Sequence, residues 1–413
     1  MRQQQPLLAD RAFYLGPMFR QAAARHGGVF VTLDRPLDVA PHVGVSLTYS
    51  VLAQLVEELS GRLWEAGIRP SEHVVVHKTD NVDIVLLTCA LSRIGAVPLE
   101  KYAGAEPPAP IRLHPREPSL ITHSSGTTGI PKLAVHCPNT MWNRLVPQKA
   151  MGLPTRGETA ALHMSFVHSR FYHRLGVLLH YGSPLVLITD PDPTKVAPLL
   201  VRHRPGIVET HPNTFVLWEE LTDAPGAPLS RVRSYGSTFD AIHPRTVQRL
   251  LDASKRRLPW LIQLYGQSET GPVAFQLFTR RTAARADGRR VGIGIPGFTR
   301  VRVTDDSGRR TRPGTPGRIE ARTRGRILTC LGAREQYLRQ LDGGWWQMGD
   351  MGYQSRLGAL YLIDREIDQI DSTADLPPMA DPRQWRFEEL PMTATRKVKR
   401  VEITRMLAES SRA

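Results

Sequence analysis

The chain has 413 residues, which suits one large domain with a smaller one and excludes a peptide or a single small binding module. With 41% hydrophobic and 23% charged residues it holds enough apolar side chains for a packed core, so its composition is not that of a disordered chain. Its 54 Lys and Arg against 39 Asp and Glu give a formal net charge of +15, which raises polyanion binding as one class of function.

The basic residues and the cysteines restrict the possible classes of function further. Only eight of the 54 cations are Lys, and the basic residues form short clusters such as 396–400, so a solvated Arg-rich surface is favoured over specific nucleic-acid binding. Cys89, Cys137 and Cys330 lie far apart, which predicts neither disulfides nor a CxxC metal or redox pair. There is no apolar signal region, and the longest apolar stretch, 84–91, is too short to span a membrane, so we expect a soluble cytoplasmic protein.

In chain order, the first predicted elements alternate between helix and strand. Apolar residues recur at helical spacing from Thr48 to Ala66, with Ser50 as the expected start signal. Residues 73–77 predict a short strand, and 81–94 predict a second helix that ends at Gly95. This alternation is typical of an α/β sheet.

Further strands follow, and their pattern changes along the chain. Three short apolar runs predict buried parallel strands, whose carboxyl ends carry ligand-binding loops in α/β proteins: 185–188, 206–208 and 260–264. After about Gly292 apolar and polar residues alternate, at 300–304 and at 317–321, which predicts a β-rich segment. The Pro-containing stretch 372–391 predicts an irregular linker.

The strongest local signal is the segment THSSGTTGIPK, from Thr122 to Lys132. Glycines allow backbone N–H groups to approach a ligand closely, hydroxyls donate to phosphate oxygens, and a lysine adds positive charge. The spacing does not fit GxxxxGK[ST], which excludes the usual P-loop NTPase. A phosphate-binding loop is favoured over a flexible surface loop, and its candidate residues are Ser124, Ser125, Gly126, Thr127, Thr128, Gly129 and Lys132.

Four later segments carry recognisable motifs: 265–269 reads YGQSE, 344–350 reads GWWQMGD, 358–365 reads GALYLIDR and 390–400 reads LPMTATRKVKR. With the loop, they resemble in the same order the motifs SSGTTGxPK, YGxTE, GWxxTGD, GYLxxxGR and LPxTxxGKxxR. These belong to the adenylate-forming superfamily of acyl- and aryl-CoA synthetases, nonribosomal-peptide adenylation domains and luciferases.

The resemblance implies an α/β fold with two parts. The first, residues 1–363, would be an AMP-binding adenylation core, a large multi-subdomain N-terminal domain of mixed sheets packed with helices plus a β-rich subdomain. The second, residues 364–413, would be a truncated C-terminal lid that bears the lysine motif.

The resemblance also implies an ATP- and Mg²⁺-dependent enzyme that converts a small carboxylic acid to an acyl-adenylate with release of pyrophosphate. Two anions must meet, so the site has to neutralise charge and fix an in-line geometry. By similarity Lys132 and its loop would hold the β- and γ-phosphates, Glu269 would ligate Mg²⁺, and Lys397 would bridge the substrate carboxylate and the α-phosphate.

Other residues are implied as ATP and AMP contacts. Asp350 would accept hydrogen bonds from the ribose, Arg365 would contact ribose or phosphate, and Tyr265 would pack on the adenine. The remaining implied contacts are Gly236, Ser237, Thr238, Gly266, Gln267 and Ser268.

The acid pocket is expected near Val167, His168 and Tyr235. Val167 stands where amino-acid-activating relatives carry an Asp, so an α-ammonium group would be buried without a counter-charge. An aromatic or unsaturated acid is therefore favoured over an α-amino acid. His168 matches the family's pocket histidine, and a packed core histidine is the competing interpretation.

Two regions look shortened against the family: the stretch between Leu99 and the phosphate loop, and the lid, where only 29 positions separate Asp368 from Lys397. Adenylation is therefore better supported than thioester formation. The acceptor stays open between CoA, a phosphopantetheinyl carrier protein and an amine, as in an amide or N–N ligase. A degenerate member with a binding or regulatory role and a nucleic-acid-binding protein are further alternatives, and the oligomeric state is open.

Overall fold

The computed structural model describes residues 11–76, 81–96, 111, 113–123, 132–238 and 241–365. Its α-helices are α1 (Met18–His26), α2 (Tyr49–Glu65), α3 (Val82–Arg93), α4 (Pro138–Gly152), α5 (Ser169–His180), α6 (Pro193–His203), α7 (Pro212–Leu217), α8 (Pro244–Ala253), α9 (Arg280–Ala283) and α10 (Arg334–Arg339). Short 3-10 helices cover Pro41–Val43, Leu153–Thr155 and Trp218–Thr222.

The strands are β1 (Phe30–Leu33), β2 (Ser46–Thr48), β3 (Leu120–His123), β4 (Leu133–His136), β5 (Ala160–His163), β6 (Leu185–Leu187), β7 (Ile207–Thr210), β8 (Ser234–Ser237), β9 (Trp260–Gln267), β10 (Gly271–Thr279), β11 (Arg290–Gly294), β12 (Thr299–Thr304), β13 (Gly317–Thr323), β14 (Thr329–Leu331), β15 (Leu341–Asp342), β16 (Trp345–Gln354) and β17 (Leu360–Arg365).

Most strands belong to one large mixed sheet, with the order β12-β13-β16-β17-β11-β10-β9-β8-β7-β5-β6-β1-β2 and with β15 paired to β16. Strands β1, β6, β5, β7, β8 and β9 run parallel to one another. From β10 onward the pairing is antiparallel. A second antiparallel sheet has the order β14-β4-β3. The predicted α/β class, with parallel strands followed by a β-rich part, is confirmed.

Helices cover both faces of the parallel strands. One core cluster holds buried residues of α1, α2, α3 and α5, and a second holds those of α6, α7 and α8. Along β7, Ile207 packs into the first cluster and Val208 into the second, because successive strand residues point to opposite faces. A third cluster fills the β-rich part around Trp346. Within the described residues, no helix is both long enough and apolar enough to cross a membrane.

The start signal predicted for the first long helix is wrong by two residues. Thr48 is the N-cap of α2, and its Oγ1 accepts a hydrogen bond from the Val51 N–H at 3.3 Å. Ser50 lies inside the first turn, where its hydroxyl donates to the Gly27 carbonyl. Since an N-cap residue needs extended backbone, Thr48, the last residue of β2, fits that role and Ser50 does not. The predicted end at Gly95, which has φ 74°, is confirmed.

The strand predicted over 73–77 is not formed in its described part. His73 and Val75 make single bridges, Val74 is buried and Val76 packs against the first core cluster, whereas Val75 is 52% exposed. The predicted linker 372–391 and the predicted lid beyond Arg365 lie outside the described residues. Strand β17 continues to Arg365, two residues past the predicted end of the core, and the division at 363 stays a prediction.

Candidate active site

The parallel strands β5, β7 and β8 end side by side, and their last residues carry polar groups. His163 is in register with Thr210, and Thr210 with Ser237. The hydroxyls of Thr210, Ser237 and Thr238 are buried and have no hydrogen-bond partner within the described part of the chain. Leaving such groups unsatisfied is costly, and this edge is where α/β sheets bind ligands. The arrangement therefore fits a polar ligand that completes these hydrogen bonds, as the prediction for Ser237 and Thr238 requires.

The strand ends of the β-rich part contribute a second set of predicted residues. The Tyr265 hydroxyl, on β9, donates to Oδ2 of Asp350 on β16 at 2.6 Å. Asp350 is 8% exposed and pairs in register with Arg365 on β17. Tyr265 and Asp350, expected to hold adenine and ribose, are thus brought together from separate strands, and the backbone of Arg365 lies beside that of Asp350.

The YGQSE segment is also held in place by its own residues. The Gln267 side chain donates to the Met348 carbonyl and accepts from the Trp346 indole N–H at 3.3 Å, so it links two of the five motifs. A Cβ on Gly266 would lie 2.1 Å from the Gly271 carbonyl oxygen. Glycine is required there by the close approach of β9 and β10, whatever nucleotide contact its backbone makes.

Glu269 lies in the turn between β9 and β10 and is 8% exposed. A buried arginine fixes this turn: Arg144, on α4, donates to the carbonyls of Ser268 at 2.9 Å and Glu269 at 3.1 Å. The same guanidinium donates to the Gly325 carbonyl at 2.6 Å and to Ser169 Oγ at 3.2 Å. Burial lowers the pKa of Arg144 to about 10, and the Glu269 carboxylate opposes that change. Arg144 therefore remains a cation that positions the predicted metal ligand.

The charges of Lys132 and Glu269 both influence the pKa of the Cys330 thiol. Burial and the Glu269 carboxylate raise the pKa of Cys330 to about 11, and Lys132 opposes that change. Lys132 directly precedes β4, whose Ala134 pairs with Cys330 on β14. The second sheet thus brings the predicted phosphate-binding lysine into the surroundings of the predicted metal ligand. The rest of that loop, Ser124–Gly129, and also Lys397 lie outside the described residues.

No three His, Cys, Asp or Glu side chains come together as a metal site in the described ranges. Glu269 is a single carboxylate, which is the kind of ligand that holds Mg²⁺ together with phosphate oxygens. The residues present therefore fit a magnesium ion that binds with the nucleotide.

The three residues predicted for the acid pocket are not all brought together. His168 is 6% exposed at the start of α5, and its ring centre lies 6.3 Å from that of His123. Val167 packs against the first core cluster. Tyr235 lies in the second cluster, with its ring centre 6.0 Å from that of Phe215, because it alternates with Gly236 along β8. Gly236, and not Tyr235, faces the side of α5.

A buried ionic cluster at this edge was missed by the sequence analysis. Glu209, on β7, forms ion pairs with Arg170 and with Arg174 of α5, the latter at 2.7 Å, and Arg170 also donates to Gln148 Oε1. A Cβ on Gly236 would lie 2.8 Å from Glu209 Cγ, so the cluster directly adjoins a predicted nucleotide contact. One signal was available, since Glu209 directly follows the apolar run of β7 and is an acidic residue at the end of a buried strand.

Comparison with known proteins identifies the family of this site. The family model described as "AMP-binding enzyme" matches residues 98–328, more than half of the chain. The resemblance to adenylate-forming enzymes is therefore confirmed.

Two of the relatives are named as diazotases. The chain is 42% identical to the 3-amino-2-hydroxy-4-methoxybenzoate diazotase of Streptomyces cremeus, over 96% of each chain. It is 24% identical to the 3-aminoavenalumate diazotase of a Streptomyces species, over 84% of this chain and 73% of the relative. The first alignment spans 528 residues, more than the length of this chain, so that relative contains internal residues without counterparts here.

Solved structures share the fold. ATP-bound MatB from Rhodopseudomonas palustris superposes with a TM-score of 0.72 at 14% identity, covering 95% of this chain and 99% of that one. The predicted fold of an adenylate-forming core is confirmed by this similarity.

Proposed function

The chain belongs to the AMP-binding enzyme family, and we propose that it uses ATP to form a nitrogen–nitrogen bond on the amino group of an aminoaryl carboxylate. The observation that carries this proposal is the 42% identity, over 96% of both chains, to a diazotase that is named for an aminobenzoate. The sequence left CoA, a carrier protein and an amine open as the acceptor, and we propose that the acceptor is the amine. The expectation of a CoA or carrier-protein acceptor stays a prediction.

Chemistry specifies the second substrate. Converting an aromatic amine to a diazo group adds one nitrogen atom, and nitrite supplies it without a further oxidant or reductant, because its nitrogen takes up the electrons that the amine nitrogen gives up. Nitrite is also an oxyanion with a nucleophilic oxygen, like a carboxylate. Attack of that oxygen on the α-phosphorus of ATP expels pyrophosphate and forms a mixed anhydride of nitrous acid and AMP.

The second step transfers the nitroso group. The amine nitrogen attacks the nitroso nitrogen, AMP leaves with the electron pair of the broken N–O bond, and the amine loses a proton. The N-nitroso product tautomerises, takes up a proton and loses water to give the diazonium group. The protein supplies no covalent nucleophile, so its work is to position two substrates and to neutralise their charge.

The described residues fit these tasks. Lys132 and a magnesium ion held by Glu269 would offset the repulsion between nitrite and the phosphates. Tyr265 and Asp350 would hold the nucleoside, and the hydroxyls of Ser237 and Thr238 would donate to the nucleotide. Lys397, outside the described residues, would contact the α-phosphate by family resemblance.

The proposal is tested by measuring AMP and pyrophosphate released by the full chain with Mg·ATP. The additions are nitrite alone, 3-amino-2-hydroxy-4-methoxybenzoate alone, and both together. We expect release to require nitrite, and we expect Glu269→Gln to slow it by about 100-fold, the order found when one electrostatic partner of a transition state is removed. Release with the aromatic acid alone would contradict the proposal.

A second candidate is adenylation of an aryl or unsaturated carboxylic acid, followed by transfer to an amine or thiol. It is favoured by the five motifs that the chain shares, in order, with CoA synthetases. In that case the acid alone supports AMP release, and added hydroxylamine traps the product as a hydroxamate, which nitrous anhydride chemistry does not give.

A further inference from the structure

We propose that Arg170 and Arg174 form, around Glu209, a subsite that binds the ring carboxylate of the aromatic substrate. This inference deepens the proposed function and rests on it for the class of ligand, an aminoaryl carboxylate.

The charge of the cluster is unbalanced. One carboxylate lies between two guanidinium groups, and the side chains of Arg170, Arg174 and Glu209 are only 11%, 10% and 3% exposed. Among the described residues the cluster therefore keeps one excess positive charge in a place that water hardly reaches, which is costly without an anion. The Arg170 Nε is buried and has no hydrogen-bond partner within the described residues, so a donor is available as well as a charge.

The position of the cluster suits a substrate subsite. Glu209 is the penultimate residue of β7 and is in register with Gly236, which is followed by the nucleotide-contact candidates Ser237 and Thr238. Glycine is required beside Glu209, because a Cβ at that position would lie 2.8 Å from Glu209 Cγ. An aromatic acid with its carboxylate on Arg170 would thus extend toward the place where the nucleotide is expected.

A second cluster, which also consists of one glutamate and two arginines, serves as a comparison that has a structural role only. Glu158 pairs with Arg256 at 2.6 Å and with Arg233 at 3.8 Å, and it precedes β5, at the opposite edge of the same sheet. There the two arginines are 37% and 41% exposed, so water offsets the extra charge. Only the cluster at the carboxyl edge keeps its extra cation away from solvent.

The test is a calorimetric titration of the full chain, without ATP or nitrite, using 3-amino-2-hydroxy-4-methoxybenzoate and the corresponding benzamide. We expect the carboxylate to bind about 10- to 100-fold more tightly than the amide, as one hydrogen-bonded ion pair provides. Arg170→Gln should abolish this preference, Arg170→Lys should restore part of it, and Arg256→Gln should leave it intact.

Melting temperatures check that each variant is folded. If Arg170→Gln does not fold, Arg174→Gln replaces it in the titration. Equal binding of acid and amide by the wild-type chain, absence of binding of the acid, or a preference that survives in both glutamine variants overturns the subsite. Nitrite-dependent AMP release is measured in parallel. If it occurs without a carboxylate preference, the subsite alone is refuted, and if the preference occurs without such release, the proposed function alone is refuted.

Discussion

At the scale of single residues, the hydrogen bond from Tyr265 to Asp350 orients the carboxylate that is expected to meet the ribose. Tyr265→Phe removes the donor and keeps the ring. We expect KM for ATP to rise about 10-fold, because a hydrogen bond to a charged group is worth about 1.5–3 kcal/mol. Steady-state kinetics at varied ATP measures this change.

Tyr353→Phe is the matched control, since Tyr353 also lies on β16 and its ring stacks on that of Tyr361. We expect its KM for ATP to be unchanged. A wild-type KM in Tyr265→Phe would show that Asp350 is held without this hydroxyl.

Gly266 gives a second prediction at this scale. Gly266→Ala places a Cβ 2.1 Å from the Gly271 carbonyl oxygen, so β9 and β10 must separate. We expect the free energy of unfolding to fall by about 1–3 kcal/mol, as in other overpacked sites, in a chemical denaturation measurement. Gly28→Ala, where a Cβ would meet nothing within 4 Å, is the control. Equal stability of the two variants would refute the steric requirement at Gly266.

At the scale of elements, Arg144 joins α4 and α5 to the turn that carries Glu269. Arg144→Met leaves buried carbonyls without donors, so we expect the free energy of unfolding to fall by about 2–5 kcal/mol. Because the Glu269 turn loses its anchor, the Mg²⁺ concentration for half-maximal activity should also rise. A Mg²⁺ dependence identical to wild type would limit Arg144 to a structural role.

Two buried histidines near Arg144 make the free energy of unfolding depend on pH. Burial lowers the pKa of His136, on β4, and of His173, on α5, well below the ordinary value, and nearby Arg144 lowers both further. The unfolded chain binds protons below about pH 6.5 that the folded chain refuses, so stability falls as pH falls. Each histidine contributes a slope of up to about 1.4 kcal/mol per pH unit.

His136→Gln should therefore flatten the loss of stability between pH 6.5 and 5, the range in which the unfolded histidine protonates. Denaturation curves at several pH values measure it. The exposed His42→Gln is the control and should keep the wild-type slope. An unchanged slope in His136→Gln would contradict the burial of a neutral imidazole.

Periodicity predicted most elements of the α/β core because apolar spacing reports which face of a helix or strand is buried. The helix predicted from Thr48 to Ala66 corresponds to α2, and the strand predicted over 206–208 overlaps β7. It did not identify Thr48 as the N-cap, since the choice depends on where β2 stops. The faces of β8 were also not predicted: Tyr235, expected in the acid pocket, packs in the second core cluster, and Gly236 lies against Glu209 on the other face.

At the scale of the whole molecule, motifs indicated the candidate site residues, whereas the buried arginines beside them became visible only in the tertiary structure. Tyr265 and Asp350 were recognisable because they stand in short motifs. Arg144, Arg170 and Glu209 were not, because no local pattern shows which distant segments their charges will meet. Of the cations behind the +15 charge, Lys132, Arg170 and Arg174 are the described ones with a proposed role in binding.

The central claim is that nitrite is the group activated by ATP, and an isotope experiment tests it most directly. The full chain is incubated with Mg·ATP, 15N-labelled nitrite and 3-amino-2-hydroxy-4-methoxybenzoate, and the products are analysed by mass spectrometry. We expect a diazo product that carries one 15N atom, formed in equal amount with AMP. AMP released without nitrite, together with an aromatic product that contains no 15N, would contradict it.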